Sequence, residues 1–378
     1  TLSNGFTKAI TTGAGDDTVT YAGPAGTGGS LNTGDGEDTL VMTGAVAATA
    51  SATATFNTKV SGFENVLLTD GAAIAVNLAG LGGIESISSQ GSTGVITVNS
   101  FVSGGTLNLT GAGTGDLTLV IANAALTTDT VNVNLVNSTA GVVGFGTATA
   151  AGVETVNINT VDKGTSAAAT IDTATLVATG AKTVVVTGNN GLTLTNAGNT
   201  AITSFDASGV VADSAVTVDT AANLAVTFLS ANTTATAAVT IKGGAGNDIL
   251  TGIGAKETIY GNGGDDTLAG GAGTDILVGG DGDDSLTGDT GVDTMTGGAG
   301  DDTFVIAAGD AGITGVEAIT DFEKCGTIPL MLLCIARLAR ACKYLPQHLW
   351  SKVRKPAFGA TQGSMIWWRT EGYVRGSL

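Results

Sequence analysis

Bulky side chains are what this sequence has least of. Aromatic residues are 4% of the 378 positions and proline occurs four times. A chain with so little bulk cannot fill a wide globular core, and its 43% of apolar residues, rich in Ala and Val, suits a thin, repetitive core instead. Basic residues are almost as scarce: residues 1–323 carry six lysines and no arginine against 32 acidic residues. That balance excludes the basic stripe that nucleic-acid binding requires. No apolar run reaches 18 residues, so no membrane-spanning helix is written in the chain. The one histidine, His348, lies in the last 55 residues, and neither His-Glu-x-x-His nor Gly-x-Ser-x-Gly occurs. Metallohydrolase and serine-triad chemistry therefore lack their parts. The chain opens at Thr1 with no basic and apolar leader, and is read as a fragment.

Glycine is abundant, with 59 residues, and its placement is regular. Seven consecutive nonapeptides run from Gly243 to Val305: GGAGNDILT, GIGAKETIY, GNGGDDTLA, GGAGTDILV, GGDGDDSLT, GDTGVDTMT and GGAGDDTFV. They follow Gly-Gly-x-Gly-x-Asp-x-apolar-x, itself a known calcium-binding repeat. The leading glycines permit a tight turn with inward carbonyls. Position eight (Leu250, Ile259, Leu268, Leu277, Leu286, Met295, Phe304) then faces a thin core. Position six carries the acid: Asp248, Glu257, Asp266, Asp275, Asp284, Asp293 and Asp302. Across the block 12 carboxylates face one lysine, Lys256. Stacking them calls for a cation, and calcium fits because it is hard and takes oxygen from carboxylates and carbonyls alike. The expected ligands are Gly243, Gly246, Asp248, Gly261, Asp265, Asp266, Gly270, Asp275, Gly279, Asp281, Asp283, Asp284, Asp293, Gly297, Asp301 and Asp302. Asp16, Asp17, Asp35 and Asp38 join them from two isolated units, 12–20 and 33–41, expected to pair across one coil.

The expected layout is a Thr/Ala/Val-rich solenoid over 1–242, the seven-unit block over 243–305, a cap over 306–323 and a basic tail over 324–378. In the first part, runs such as Lys182-Thr-Val-Val-Val-Thr and Gly191-Leu-Thr-Leu-Thr alternate apolar and polar residues between turn residues, and predict short strands without helices. A second motif, Gly-apolar-Glu-polar-apolar, recurs at Gly62, Gly83, Gly152 and Gly315. Its glutamates, Glu64, Glu85, Glu154 and Glu317, recur with the turn, whereas a catalytic pair occurs once. They are read as turn-capping or calcium-facing groups. The tail holds Cys325, Cys334, Cys342, all three tryptophans and nine basic residues against Glu371. It is read as a frame-shifted or unstructured continuation, so its cysteines carry no metal or redox argument.

The nonapeptides resemble the RTX family, and in that family two units form one coil. Units one, three, five and seven then stack on one side, and two, four and six on the other. Position five reads Asn247, Asp265, Asp283 and Asp301 on the first side but Lys256, Thr274 and Val292 on the second. The first side is therefore expected to hold calcium more tightly, with the weakest rung at Lys256 and Glu257. Val153-Glu-Thr-Val-Asn-Ile, the stretch from Thr183 to Ser208 and Phe228-Leu-Ser-Ala-Asn-Thr-Thr resemble the C-terminal half of the Caulobacter-type RTX surface-layer family over about residues 1–323. The resemblance implies an all-β fold, a right-handed parallel β-solenoid leading into a calcium-binding RTX β-roll. It also implies a secreted, type I-exported, self-assembling surface lattice protein whose partners are Ca2+, further copies of itself and, at the cell surface, lipopolysaccharide. After Glu323 the sequence departs from that family, where an acidic, hydroxyl-rich export signal is expected. The alternative is a calcium-binding carrier module of a secreted enzyme or adhesin whose active domain lies outside the chain.

Overall fold

A computed structural model describes residues 1–321, except 4, 24–27, 71–73, 91–93, 111–116, 123–126, 138–143, 164–170, 214–219 and 307–317, and beyond them strands Met365–Thr370 and Tyr373–Ser377. Strand alternation is the building rule. In Thr183–Gly188, Val184 and Val186 are buried while Thr187 is exposed, so one face of each strand supplies the core and the other meets solvent. Most strands fall alternately into two long walls, beside a three-stranded sheet of Ala9–Ala14, Ser30–Asp35 and Val60–Ser61 and a two-stranded one of Ala272–Gly273 and Thr290–Gly291. One wall has 14 parallel strands, from Thr18–Thr20 to Ala318–Ile319, and the other has 13, starting at Ile74–Asn77. The chain is all-β, a parallel solenoid of about 12 turns with the nonapeptides in its C-terminal region.

The core between the walls is a single continuous cluster. Within the nonapeptides, Leu250, Leu268, Leu286 and Phe304 lie in register in one wall, and Ile259, Leu277 and Met295 in the other. All are buried, as position eight requires. No break separates this block from the coils before it: Ala238–Lys242 pairs with Lys256–Gly263, and Val226–Leu229 with Ile249–Thr251. At that junction Phe205 and Phe228 stack across the core, centroids 3.9 Å apart and planes 8° apart, where two aromatic rings fill space that aliphatic residues fill elsewhere.

Two features depart from the sequence reading. A helix, Gly44–Ser51, interrupts the strands; the side chain of Thr43 caps it, accepting the Val46 N–H at 3.3 Å. It packs against Ile74–Asn77, the terminal strand of the 13-stranded wall, and so covers an edge whose backbone groups need partners. Its sequence, GAVAATAS, has helix-forming alanines but no apolar stripe to announce it. The tail, read from sequence as frame-shifted or unstructured, contributes two antiparallel strands, with Met365–Thr370 pairing onto Thr303–Ile306 and Tyr373–Ser377 onto Met365–Thr370. An open parallel edge accepts a strand in either direction. Residues 322–364, with the three cysteines and His348, and Glu317 lie outside the described residues. No helix among the described residues is long and apolar enough to cross a membrane.

Candidate metal centre

Each nonapeptide places its turn glycines at the corner between walls and its position-six acid at the first inward position of the following strand. The acids form two columns with an 18-residue step. In the 13-stranded wall the Asp248 N–H donates to Asp266 Oδ1 at 2.7 Å, the Asp266 N–H to Asp284 at 2.8 Å and the Asp284 N–H to Asp302 at 3.1 Å. In the other wall the Glu257 and Asp275 N–H groups donate to Asp275 and Asp293 Oδ1, each at 2.8 Å. One carboxylate oxygen of each aspartate from Asp266 on thus ties its coil to the coil before it, whereas Glu257 Oε1 accepts the Ile253 N–H of its own unit at 3.3 Å. At the head of the first column Asp248 Oδ1 accepts the Val226 N–H at 2.6 Å, carrying the rung onto the preceding coil.

In four acids the second oxygen is left over: Asp266, Asp275 and Asp284 Oδ2 and Glu257 Oε2 are buried with no hydrogen-bond partner, whereas Asp248 Oδ2 accepts the Gly244 N–H at 2.6 Å. The position-one glycine lies directly over Oδ2 of each aspartate. A Cβ on Gly261 would collide with Asp266 Oδ2 and meet the Gly279 carbonyl at 2.6 Å; on Gly270 it would meet Asp275 Oδ2 at 2.7 Å and the Gly288 carbonyl at 2.8 Å. Gly243 and Gly279 repeat the arrangement with Asp248 and Asp284, and Gly297 lies over Asp302 Oδ2. Burial raises the carboxyl groups of Asp248, Asp275 and Asp284 to about 7 and that of Asp266 to about 8, and it pushes Glu257 and Asp302 up as well. Ionised buried carboxylates beside carbonyl oxygens demand a cation. Among the described residues no three His, Cys, Asp or Glu side chains gather round one point, so each site draws on carboxylate and backbone carbonyl together. That all-oxygen set fits calcium.

The expected ligands divide by position. The glycines at position one and the acids at position six come together as described. Asp265, Asp283 and Asp301 do not enter the interior: they are exposed, and Asp265 and Asp283 Oδ1 accept the N–H of Asp283 and Asp301 at 2.9 and 2.7 Å. They staple the outer turn, as Asn247 does for Asp265 at 2.9 Å. Asp281 is exposed and its carbonyl accepts the Gly264 N–H at 2.8 Å; the Gly246 carbonyl lies against Gly264 of the next coil. At the end of the block Asp321 takes the N–H groups of Gly297 and Gly298 at 3.0 and 2.6 Å.

The two isolated units pair directly, with Thr18–Thr20 on Thr39–Val41 and Ala9–Ala14 on Ser30–Asp35. They repeat both staples: Asp38 Oδ1 accepts the Asp17 N–H at 2.7 Å, and Asp16 Oδ1 accepts the Glu37 N–H at 3.0 Å. Asp35 is exposed, its carbonyl holding the Gly15 N–H at 2.7 Å. Gly252 and Gly288, left out of the expected ligands, occupy the same place over Glu257 and Asp293 as the other position-one glycines; the nine-residue period alone would have included them. Asp172 was missed altogether. It lies in register with Leu192 and Val226 in the column that Asp248 continues, is fully buried with no hydrogen bond of good geometry to either oxygen, and burial, outweighing the nearby Asn190 amide, raises it to about 7.

A family model described as the RTX calcium-binding nonapeptide repeat, in four copies, matches residues 237–254, 251–286 and 269–304. Repeats of this kind are typical of secreted proteins of Gram-negative bacteria. No curated protein matches the chain.

Proposed function

We propose that the chain is a structural protein that folds on extracellular calcium and assembles with further copies into a cell-surface lattice. The observation that carries this reading is continuity: the calcium-binding coils run in the same two sheets as the coils before them, so the block is one end of a rod rather than a module joined by a linker. Rods with long strand walls are building elements, and the resemblance of residues 1–323 to the surface-layer family points the same way. In this reading the chain is not an enzyme.

The residues determine when the rod is complete. At the low free calcium of a cytosol the 12 carboxylates of the block repel one another and keep it open for export through a type I channel. Outside, calcium supplies the charge that lets the position-six acids stay ionised while buried, and binding free energy becomes folding free energy. A site that binds only the folded state contributes about 2.7 kcal/mol at a calcium concentration 100 times its dissociation constant, so a few sites suffice to decide whether the block folds. Exposed Asp265, Asp283 and Asp301 remain outside for bridging to lipopolysaccharide or a neighbouring copy.

Negative-stain electron microscopy of the purified chain, with millimolar calcium and then with chelator, tests the reading. Ordered two-dimensional sheets that dissolve in chelator are expected. Dispersed monomers that fold with calcium would overturn the lattice and favour a carrier module of an enzyme or adhesin.

A further inference from the structure

The glutamates of the Gly-x-Glu turns were read from sequence as turn-capping or calcium-facing groups, and register and hydrogen bonds distinguish the two for Glu64 and Glu154. In the 14-stranded wall the acids that precede the strands fall into two columns. At the N-terminal end one column holds Asp17, Asp38, Glu64 and Glu85, and runs on through Gly105 to Val131. The other, two residues before it in register, holds Asp129, Glu154, Lys182, Thr203 and Val239, and then Glu257, Asp275 and Asp293 of the nonapeptides. Position six of the nonapeptide block and Glu154 of the Gly-x-Glu turns therefore share one column, and Glu64 takes the equivalent place in the first.

The hydrogen bonds repeat as well. The Asp38 N–H donates to Glu64 Oε2 at 2.9 Å, and the Asp129 N–H to Glu154 Oε2 at 2.9 Å, the same upstream N–H to downstream carboxylate rung that joins Glu257 to Asp275 at 2.8 Å. The backbone follows suit, with the Thr155 N–H on the Asp129 carbonyl at 3.0 Å and the Thr294 N–H on the Asp275 carbonyl at 2.8 Å. The unsatisfied oxygen is also present. Asp38 Oδ2 and Asp129 Oδ2 are buried with no partner, and the two residues are 0% and 1% exposed. A capping role needs only the glutamate oxygen that accepts the N–H; it leaves a buried, unpartnered aspartate oxygen one coil away without explanation. Lys182, next in the column after Glu154, makes no ion pair among the described residues.

We propose that Asp129 with Glu154, and Asp38 with Glu64, form divalent-cation sites of the nonapeptide kind outside the nonapeptide block. Each pairs two carboxylates of successive coils, an all-oxygen environment suited to calcium. The Asp129 and Glu154 site thus stands in the same column as the nonapeptide acids, with Lys182, Thr203 and Val239 between them. This inference does not depend on lattice assembly.

The test is the number of calcium ions bound per full-length chain, by equilibrium dialysis, together with the calcium-induced rise in Tm. Glu154→Gln keeps an oxygen that accepts the Asp129 N–H and removes the charge. Asp129→Thr installs a residue that this column already carries at Thr203, which guards against loss of fold. Each is expected to lower the count by one ion and shrink the calcium-induced rise, while Tm in chelator is unchanged or higher. Glu64→Gln is expected to do the same independently. Asp266→Asn serves as the reference for an ion lost from the nonapeptides. An unchanged ion count in folded Glu154→Gln and Asp129→Thr would overturn the proposal and leave Glu154 a capping group. Failure to form sheets in the microscope, with the ion count reduced as expected, would overturn the lattice alone.

Discussion

The coils just before residue 243 and the nonapeptide coils after it share walls and core, yet they satisfy their corners by opposite means. Upstream, neutral side chains close the turns. Asn199 accepts the Ala178 N–H at 2.5 Å and donates to the Leu176 carbonyl at 2.8 Å; Asn232 donates to the Ile202 carbonyl at 3.1 Å; Thr160 donates to the Asn190 carbonyl at 2.6 Å. Downstream, Asp266, Asp275 and Asp284 each hold an N–H of the coil before and leave an oxygen over. Coil length follows the same division. The step from Thr183 to Ser204 is 21 residues and from Ser204 to Thr240 it is 36, whereas every nonapeptide step is 18. Amides and hydroxyls can satisfy turns of varied shape, because each finds its own partner. A repeated ion site fixes the shape of the turn and with it the period. One architecture is thus self-sufficient in one stretch and ion-dependent in the next.

The sharpest way to break this contrast is hydrogen exchange in chelator. Strands from Ile249 to Ile306 are expected to lose protection while Thr183–Gly188 and Gly191–Asn196 keep it; equal loss in both would refute the division. Truncating the core comes next. With calcium present, Leu277→Ala and Leu194→Ala should each cost about 2–5 kcal/mol, since both are buried. In chelator, denaturant melts should register only Leu194→Ala.

The two walls of the block can be compared with each other. Asp266→Asn removes an acid flanked by the position-five acids, and Asp275→Asn removes one that is not. Both should raise the calcium midpoint of folding followed by circular dichroism, Asp266→Asn by more, by up to the roughly 2.7 kcal/mol that one well-saturated site contributes. Equal shifts would dismiss the asymmetry read from Asp265, Asp283 and Asp301.

Acidity acts in opposite senses with and without the ion. In the calcium-free fold burial raises Asp248, Asp266, Asp275 and Asp284 to about 7 to 8, above about 3.9 for an unfolded aspartate. The folded state then binds more protons than the unfolded one between about pH 4 and 8, so its stability is greatest at the acid end and falls as pH rises through the raised values. Thermal melts without calcium should show the block more stable at pH 5 than at pH 8. With calcium the trend should reverse, because the ligands must be deprotonated. The smallest effect expected is upstream. Asp172→Leu, matching Leu192 in its column, should stabilise the chain at pH 8 by about 1–3 kcal/mol by removing a buried carboxylate; a lower Tm would show that Asp172 has work to do.

Much of the ion chemistry was legible in the chain because a nine-residue period fixes which residues share a column without any knowledge of the fold. That is why Asp248, Asp266, Asp275 and Asp284 could be placed in columns with their glycines from the sequence alone. Asp265, Asp281, Asp283 and Asp301 were read as ligands because sequence shows charge but not direction, and a neighbouring position on a turn points outward. The helix Gly44–Ser51 escaped because its role is to cover an edge that exists only once the wall is built.

Sequence by itself determined the strand period, the inward residues, the acid-bearing turns and the calcium chemistry, all of which are local patterns repeated along the chain. Only the tertiary structure decided that Glu154 shares a column with Glu257, and that Asp172 belongs with Asp248. Coils of 20 to 36 residues have no common period from which such partners can be counted, and it is the backbone pairing between coils that brings them together.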